Sequence, residues 1–228
     1  MSARTLSRLV LALTALAVAL YLLRTVAPTL LPLTPRGWFT MGGIGKLAFQ
    51  AIAVAASWAA ASRLFGGEDG IGRAWRFLAV GMAGFFLGQA VLAYYQISRG
   101  QAAPFPSVAD VFFLLGYPFL IAALSRFIVS FRAAGWPLGE PSADRRRMLT
   151  VAAIGLVVLA PLLVPILRSS DEALPKAINL AYPFLDLALL APAWLVLHVA
   201  QKLSGGALRR VWWNLFIGVA ALVASDVA

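Results

Sequence analysis

The chain contains no cysteine and one histidine, His198. Without a thiol there can be no disulfide, no thiolate metal site, no iron–sulfur cluster and no cysteine nucleophile. A single imidazole also excludes bis-histidine haem ligation within one chain. Charge is scarce: Asp, Glu, Lys and Arg make up 12% of the 228 residues, about half the share in an average soluble domain. There is no Gly-rich phosphate loop, zinc-ligand spacing or nucleophile elbow. No catalytic residue, metal site or cofactor is therefore expected, and the chain is not expected to be an enzyme.

What is present is apolar. Hydrophobic residues account for 61% of the chain and the mean hydropathy is +0.86. A soluble domain of this size would have too little polar surface to cover itself, so the solvent implied is the bilayer. A crossing helix needs about 20 mostly apolar residues. Seven runs meet or approach that, at roughly 8–31, 43–65, 76–98, 108–131, 148–168, 177–201 and 211–228. The breaks between them carry Pro, Gly and charge, as at Pro35-Arg36-Gly37, Gly66 to Gly70, Pro137 to Arg147 and Ser204 to Gly206. The runs are continuous rather than alternating, which argues against a membrane barrel. The expected fold is all-α, a single polytopic transmembrane bundle of about seven spans. The first run, behind Arg4 and Arg8, has the look of a secretory signal. It continues past Arg24 to Leu33 without a small-residue cleavage site, so an uncleaved first helix is expected.

The net charge of +10 would suggest nucleic acid in a soluble protein. Here the basic residues sit in clusters between apolar runs, where they carry topology, and no nucleic-acid partner is expected. With the N-terminus in the cytoplasm, 13 of the 19 basic residues fall on the inner side, anchored by Arg145-Arg146-Arg147. Trp75, Trp136, Trp212 and Trp213 then fall near inner span ends, as an aromatic belt would place them. A shift of 137 positions sets Trp75 on Trp212, Gly81 on Gly218 and Gln89 on Asp226. If the third span repeats as the seventh, an eighth is missing, and these residues are expected to belong to a longer protein.

Ionisable groups inside spans cost about 2.5–3.5 kcal/mol at helix centre, so each needs a reason. Ser107-Val-Ala-Asp110 has the form of a capping box opening the fourth span. As a helix cap, Ser107 and Asp110 are explained by architecture at the outer membrane surface. Asp186 is not: it lies nine residues into the sixth run, about 13 Å deep, where no cap reaches. Asn179 and Tyr182 share its helix face. With Gln89 and Tyr94 of the third span and Asp226 of the seventh, they are candidates for a polar pocket facing the outer leaflet. Tyr117-Pro118-Phe-Leu in the fourth span recurs as Tyr182-Pro183-Phe-Leu in the sixth. Proline inside a helix frees a carbonyl and kinks the axis. Gly116, Pro118 and Pro183 are therefore hinge candidates, alongside the plainer reading of packing kinks.

Three stretches carry a resemblance: PSVADVFFLLGYPFLIAAL, NLAYPFLDLALLAPAWLVL and WWNLFIGVAALVASDVA. Over about residues 75–228 the chain resembles the polytopic membrane input regions of bacterial signalling proteins. Such regions precede GGDEF diguanylate cyclase, EAL phosphodiesterase or histidine-kinase modules. The matching positions are Pro106, Ser107, Ala109 and Asp110 with Gly116, Tyr117 and Pro118; then Tyr182, Pro183 and Asp186; then Asp226. The resemblance implies a sensory or signal-relay module of the bacterial inner membrane. Its partners would be the lipid bilayer, an unknown small ligand from the outer side, and a second copy or another membrane protein. No effector motif is present, so no catalytic activity carries over. Two other readings stay open: a small transporter or channel, and a structural subunit of a larger membrane complex.

Overall fold

The structure, a computed structural model, describes residues 34–64, 70–136, 140–202 and 207–227, with isolated helical positions at 12 and 19. The expected first span, 8–31, lies outside the described residues. Six helices follow in chain order: α1 (Pro35–Ala59), α2 (Gly70–Tyr94), α3 (Val108–Ala133), α4 (Pro141–Arg168), α5 (Ala173–Lys202) and α6 (Ala207–Val227). Short π-helical turns extend α1 over Ala60–Leu64 and α2 over Tyr95–Arg99. Among the described residues there is no strand. Five helices are long and apolar enough to cross a membrane, as in a multi-pass membrane protein: Thr40–Ser62, Gly70–Arg99, Val108–Ala133, Pro141–Arg168 and Ala173–Val199.

Several helices start before their apolar runs. Pro35-Arg36-Gly37, read above as a break, is the first turn of α1. Thr34 is its N-cap, its hydroxyl accepting from Gly37 N at 3.1 Å. Proline suits the first helical position because its missing N–H would have no intrahelical partner there. Likewise α4 begins at Pro141, so Arg145 to Arg147 lie on its first two turns rather than in a loop. Helical hydrogen bonding does not stop where hydrophobicity does, and the polar turns extend each rod out of the apolar layer.

Helices α2 and α3 form the central antiparallel pair. Their backbones approach closely at Gly81, Gly84 and Gly116: a Cβ on Gly84 would lie 2.9 Å from the carbonyl oxygen of Phe112. One on Gly116 would lie 2.7 Å from the Phe85 ring. Small residues replace hydrophobic drive in lipid, because bringing two backbones together gains dispersion contacts that lipid tails cannot supply. Gly84-Phe-Phe-Leu-Gly88 is a G-x-x-x-G spacing on this face. Gly116 thus works as a contact point between helices.

The core lies between α2, α3, α5 and α6, with Phe127, Phe131, Leu195, Val199 and Trp212 buried in it. Trp75 and Trp212 stack with centroids 6.5 Å apart, and Phe127 meets both edge-on. Trp212 is therefore a core side chain, not a headgroup anchor, whereas Trp213 stays exposed. Helix α3 ends in a Schellman motif: Trp136 N donates to Phe131 O at 3.0 Å and Gly135 N to Arg132 O at 3.1 Å. Gly135 takes φ +72°, and the Trp136 ring lies flat on Phe131 at 4.2 Å. That is the αL glycine and apolar contact this helix end requires. Buried Asp144 then ties α4 to α3, accepting from Arg132 at 2.9 Å and Arg147 at 3.0 Å. At the other end of α4, Lys176 of α5 donates to the carbonyls of Leu167 and Ser169.

Candidate functional site

Helix α3 carries Asp110 and Tyr117, seven positions apart; α5 carries Tyr182 and Asp186, four apart. Both spacings keep the pair on one helical face. The two faces meet, and the partners cross. The Tyr117 hydroxyl donates to Asp186 Oδ1 at 2.6 Å, and the Tyr182 hydroxyl donates to Asp110 Oδ1 at 2.8 Å. The tyrosine rings touch edge-to-face with centroids 6.3 Å apart. Contacts rise in register along both chains, so α3 and α5 run parallel. The recurring Tyr-Pro-Phe-Leu segment is thus a device for joining these two helices: each copy supplies the hydroxyl for the other helix's carboxylate.

The register also moves Asp110. It is two residues into α3, whereas its partner Tyr182 is nine residues into α5. At 1.5 Å per residue those offsets are about 3 and 13 Å, so the start of α3 is sunk below the start of α5. The capping box forms as a unit: Ser107 N donates to Asp110 Oδ2 at 2.7 Å, and the Ser107 hydroxyl accepts from Ala109 N at 3.2 Å. Only 9% of Asp110 is exposed. The cap is not a feature of the open surface, as its sequence alone implied, but a buried carboxylate shared between a helix terminus and a tyrosine on another helix.

Asp186 is 1% exposed and Tyr117 fully buried. Helix α5 starts at Ala173, so Asp186 lies thirteen residues along it, about 20 Å from that end. Proline breaks neither helix: α3 continues through Pro118 and α5 through Pro183. A proline offers no N–H to the carbonyl four residues back, here that of Asn179 for Pro183.

Beside the crossed pairs lies a cavity of about 1310 Å³, bounded by all six helices. It exceeds the 300–1,000 Å³ usual for small-ligand sites, so it has room for a molecule of lipid size. Gln89, Asn179, Tyr182, Pro183, Asp110 and Asp186 line it, and Gln89 is itself buried. Tyr94 does not line it; it is 54% exposed and packs against Tyr95 at 5.8 Å. Gly116 and Pro118 are likewise absent from the wall. The position of Asp226 falls on α6, but its side chain lies outside the described residues. Among the described residues no cluster of His, Cys, Asp and Glu could hold a metal ion.

Three wall residues were not foreseen from the sequence. Lys46, Gln50 and Ser57 of α1 face the cavity, and the signal that could have found them is their 4- and 7-residue spacing. The Gln50 Oε1 atom is buried without a hydrogen-bond partner. No family model, no curated protein and no solved structure matches the chain.

Proposed function

We propose that the chain is a sensory or signal-relay module of a bacterial inner membrane, crossing it seven times with its N-terminus in the cytoplasm. Eleven basic residues of the described helices and linkers fall at the end of the bundle that holds Arg145 to Arg147, against five at the other. Positive charge is retained on the cytoplasmic side, so the crossed tyrosine–aspartate pairs sit in the outer half. The observation that carries the reading is the placement of those pairs. They bridge α3 and α5 in the wall of a cavity large enough for a lipid-sized ligand. An occupant that prefers one arrangement of the two helices shifts their relative position by its difference in affinity. The shift would emerge at the cytoplasmic ends of α3 and α5, where an effector or a second copy could read it.

The absence of cysteine makes the test direct. Val129→Cys on α3 and Gln201→Cys on α5, both exposed, accept spin labels in the full chain reconstituted in nanodiscs. The α3–α5 distance is expected to change when Tyr117→Phe and Tyr182→Phe are combined, and when membrane lipid extract is added to the parent protein. A distance indifferent to both would overturn the reading. Proton or solute flux in liposomes that is lost in Asp186→Asn would replace it with transport, a role that intramembrane carboxylates also serve.

A further inference from the structure

Helix α1 presents a single stripe to the cavity: Lys46, Gln50, Ala53, Ser57 and Ala60. The spacings of 4, 3, 4 and 3 define one helical face. From Lys46 to Ala60 the stripe runs fourteen residues, about 21 Å. That exceeds one leaflet's share of the hydrocarbon, half of roughly 30 Å. Lys46 and Gln50 lie at one end and the small residues Ala53, Ser57 and Ala60 at the other. Leu78, Met82, Leu120 and Leu124 of α2 and α3 also line the cavity. The cavity holds Lys46, Gln50 and Asp110 towards one end, and, with Asp186, Ser57 and Asn214 among the exceptions, the rest of its wall is mostly apolar, a division that suits an amphiphile.

The polar end holds groups of two kinds. The carboxylates already hold internal donors: Asp110 accepts from Tyr182 and from both the N–H and the hydroxyl of Ser107, and Asp186 accepts from Tyr117. Lys46, by contrast, is exposed to the cavity and makes no ion pair among the described residues. It is the one cation in the described wall. One turn deeper, about 6 Å along the axis, Gln50 Oε1 is a buried acceptor without a donor. Such an atom forfeits its hydration with nothing in return. The two unfilled groups thus ask for an anion and, just below it, a hydrogen-bond donor.

We propose that the cavity binds a single-chain acid amphiphile with a hydrogen-bond donor beside its acid group, such as an N-acylated amino acid or a β-hydroxylated fatty acid. Lys46 takes the acid and Gln50 the donor, and the chain runs down the Ala53–Ala60 groove. The proposal rests on the reading of the cavity as a ligand site and names what fills it.

The test is partitioning of labelled probes into nanodiscs that hold the full chain, against empty nanodiscs. The probes are N-palmitoylglycine, β-hydroxypalmitate, palmitate, hexadecanol and hexadecylamine. The first two are expected to bind best, and the better of them identifies the source. Lys46→Met is expected to weaken both by about tenfold, the scale of one lost charge-assisted hydrogen bond, and Lys46→Arg to restore most of that. Gln50→Leu is expected to weaken the two donor-bearing acids and to leave palmitate unchanged. Both changes fall on side chains with no folding partner among the described residues, and the helix content of each variant checks this. Tighter binding of hexadecylamine, or affinity unchanged by Lys46→Met, would overturn the ligand class. The α3–α5 spin-label distance separates the two claims. If it responds to hexadecylamine, the sensory reading stands with a different ligand; if no probe binds and the distance never moves, both fall.

Discussion

The Tyr117–Asp186 bond is expected to couple α3 to α5 far more strongly than Tyr182–Asp110, although the two look alike. Tyr117→Phe removes only a hydroxyl, leaving the ring against Phe85 at 5.2 Å and Tyr182 at 6.3 Å. Asp186→Leu removes the acceptor while keeping the branching of the side chain. Hydrogen bonds to charged groups contribute about 1.5–3 kcal/mol in soluble proteins. In membrane proteins such cycles average about 0.6 and reach about 1.7 kcal/mol, because the unfolded state in lipid also finds partners. Both partners here are buried, at 0% and 1% exposure, and 2.6 Å apart, which places this pair near the upper end, about 1.5 kcal/mol. Asp110 keeps Ser107 when Tyr182 loses its hydroxyl, and Tyr182 is only half-buried. The second pair is therefore expected to contribute about 0.5 kcal/mol. Double-mutant cycles for each pair, from SDS unfolding of the purified chain in mixed micelles, give both numbers. Tryptophan fluorescence, to which buried Trp212 and partly buried Trp75 contribute, reports the transition. Coupling at Tyr117–Asp186 below about 0.3 kcal/mol, the scatter of independent sites, would refute the reasoning. So would an equal or larger coupling in the second pair.

Three further changes test the frame around the site. Gly116→Ala puts a methyl 2.7 Å from the Phe85 ring and 3.0 Å from the Gly81 carbonyl, so α2 and α3 must separate; a loss of about 2 kcal/mol is expected in the same unfolding assay. Gly135→Ala forces a side chain into the left-handed region at φ +72°, with an expected loss of about 1 kcal/mol and faster proteolysis of the α3–α4 connection. Asp144→Asn leaves Arg132 and Arg147 without their shared carboxylate. The guanidinium side chains are 42% and 40% exposed, so water offsets much of the loss. An expected destabilisation of about 1–2 kcal/mol should shrink as salt is raised.

Most of the architecture could be read along the chain. Composition alone points to lipid as the solvent, because surface and interior are both apolar. Within lipid a continuous apolar run must satisfy its own backbone, and only a helix does so in one segment. The Ser107–Asp110 cap was equally legible, since a capping box is made by residues three apart. The depth of Asp186 marked it as a group needing a partner.

Tertiary structure decided the partners. Whether Asp110 was a surface cap or a buried link depended on how far α3 is sunk beside α5, and nothing within residues 107–110 encodes that offset. The repeated Tyr-Pro-Phe-Leu segment was visible as a repeat, but the exchange of partners between copies needs two helices in parallel register. Gly116 looked like a hinge because glycine and proline soften an isolated helix; against α2 it is the point where two backbones touch. Trp212 looked like an interfacial anchor until α2, α3 and α6 closed around it. Local hydrogen bonding and solvation act within a few residues, so a sequence carries them openly. Contacts 69 and 72 positions apart depend on which faces of the rods are turned inward, and that is a property of the packed bundle.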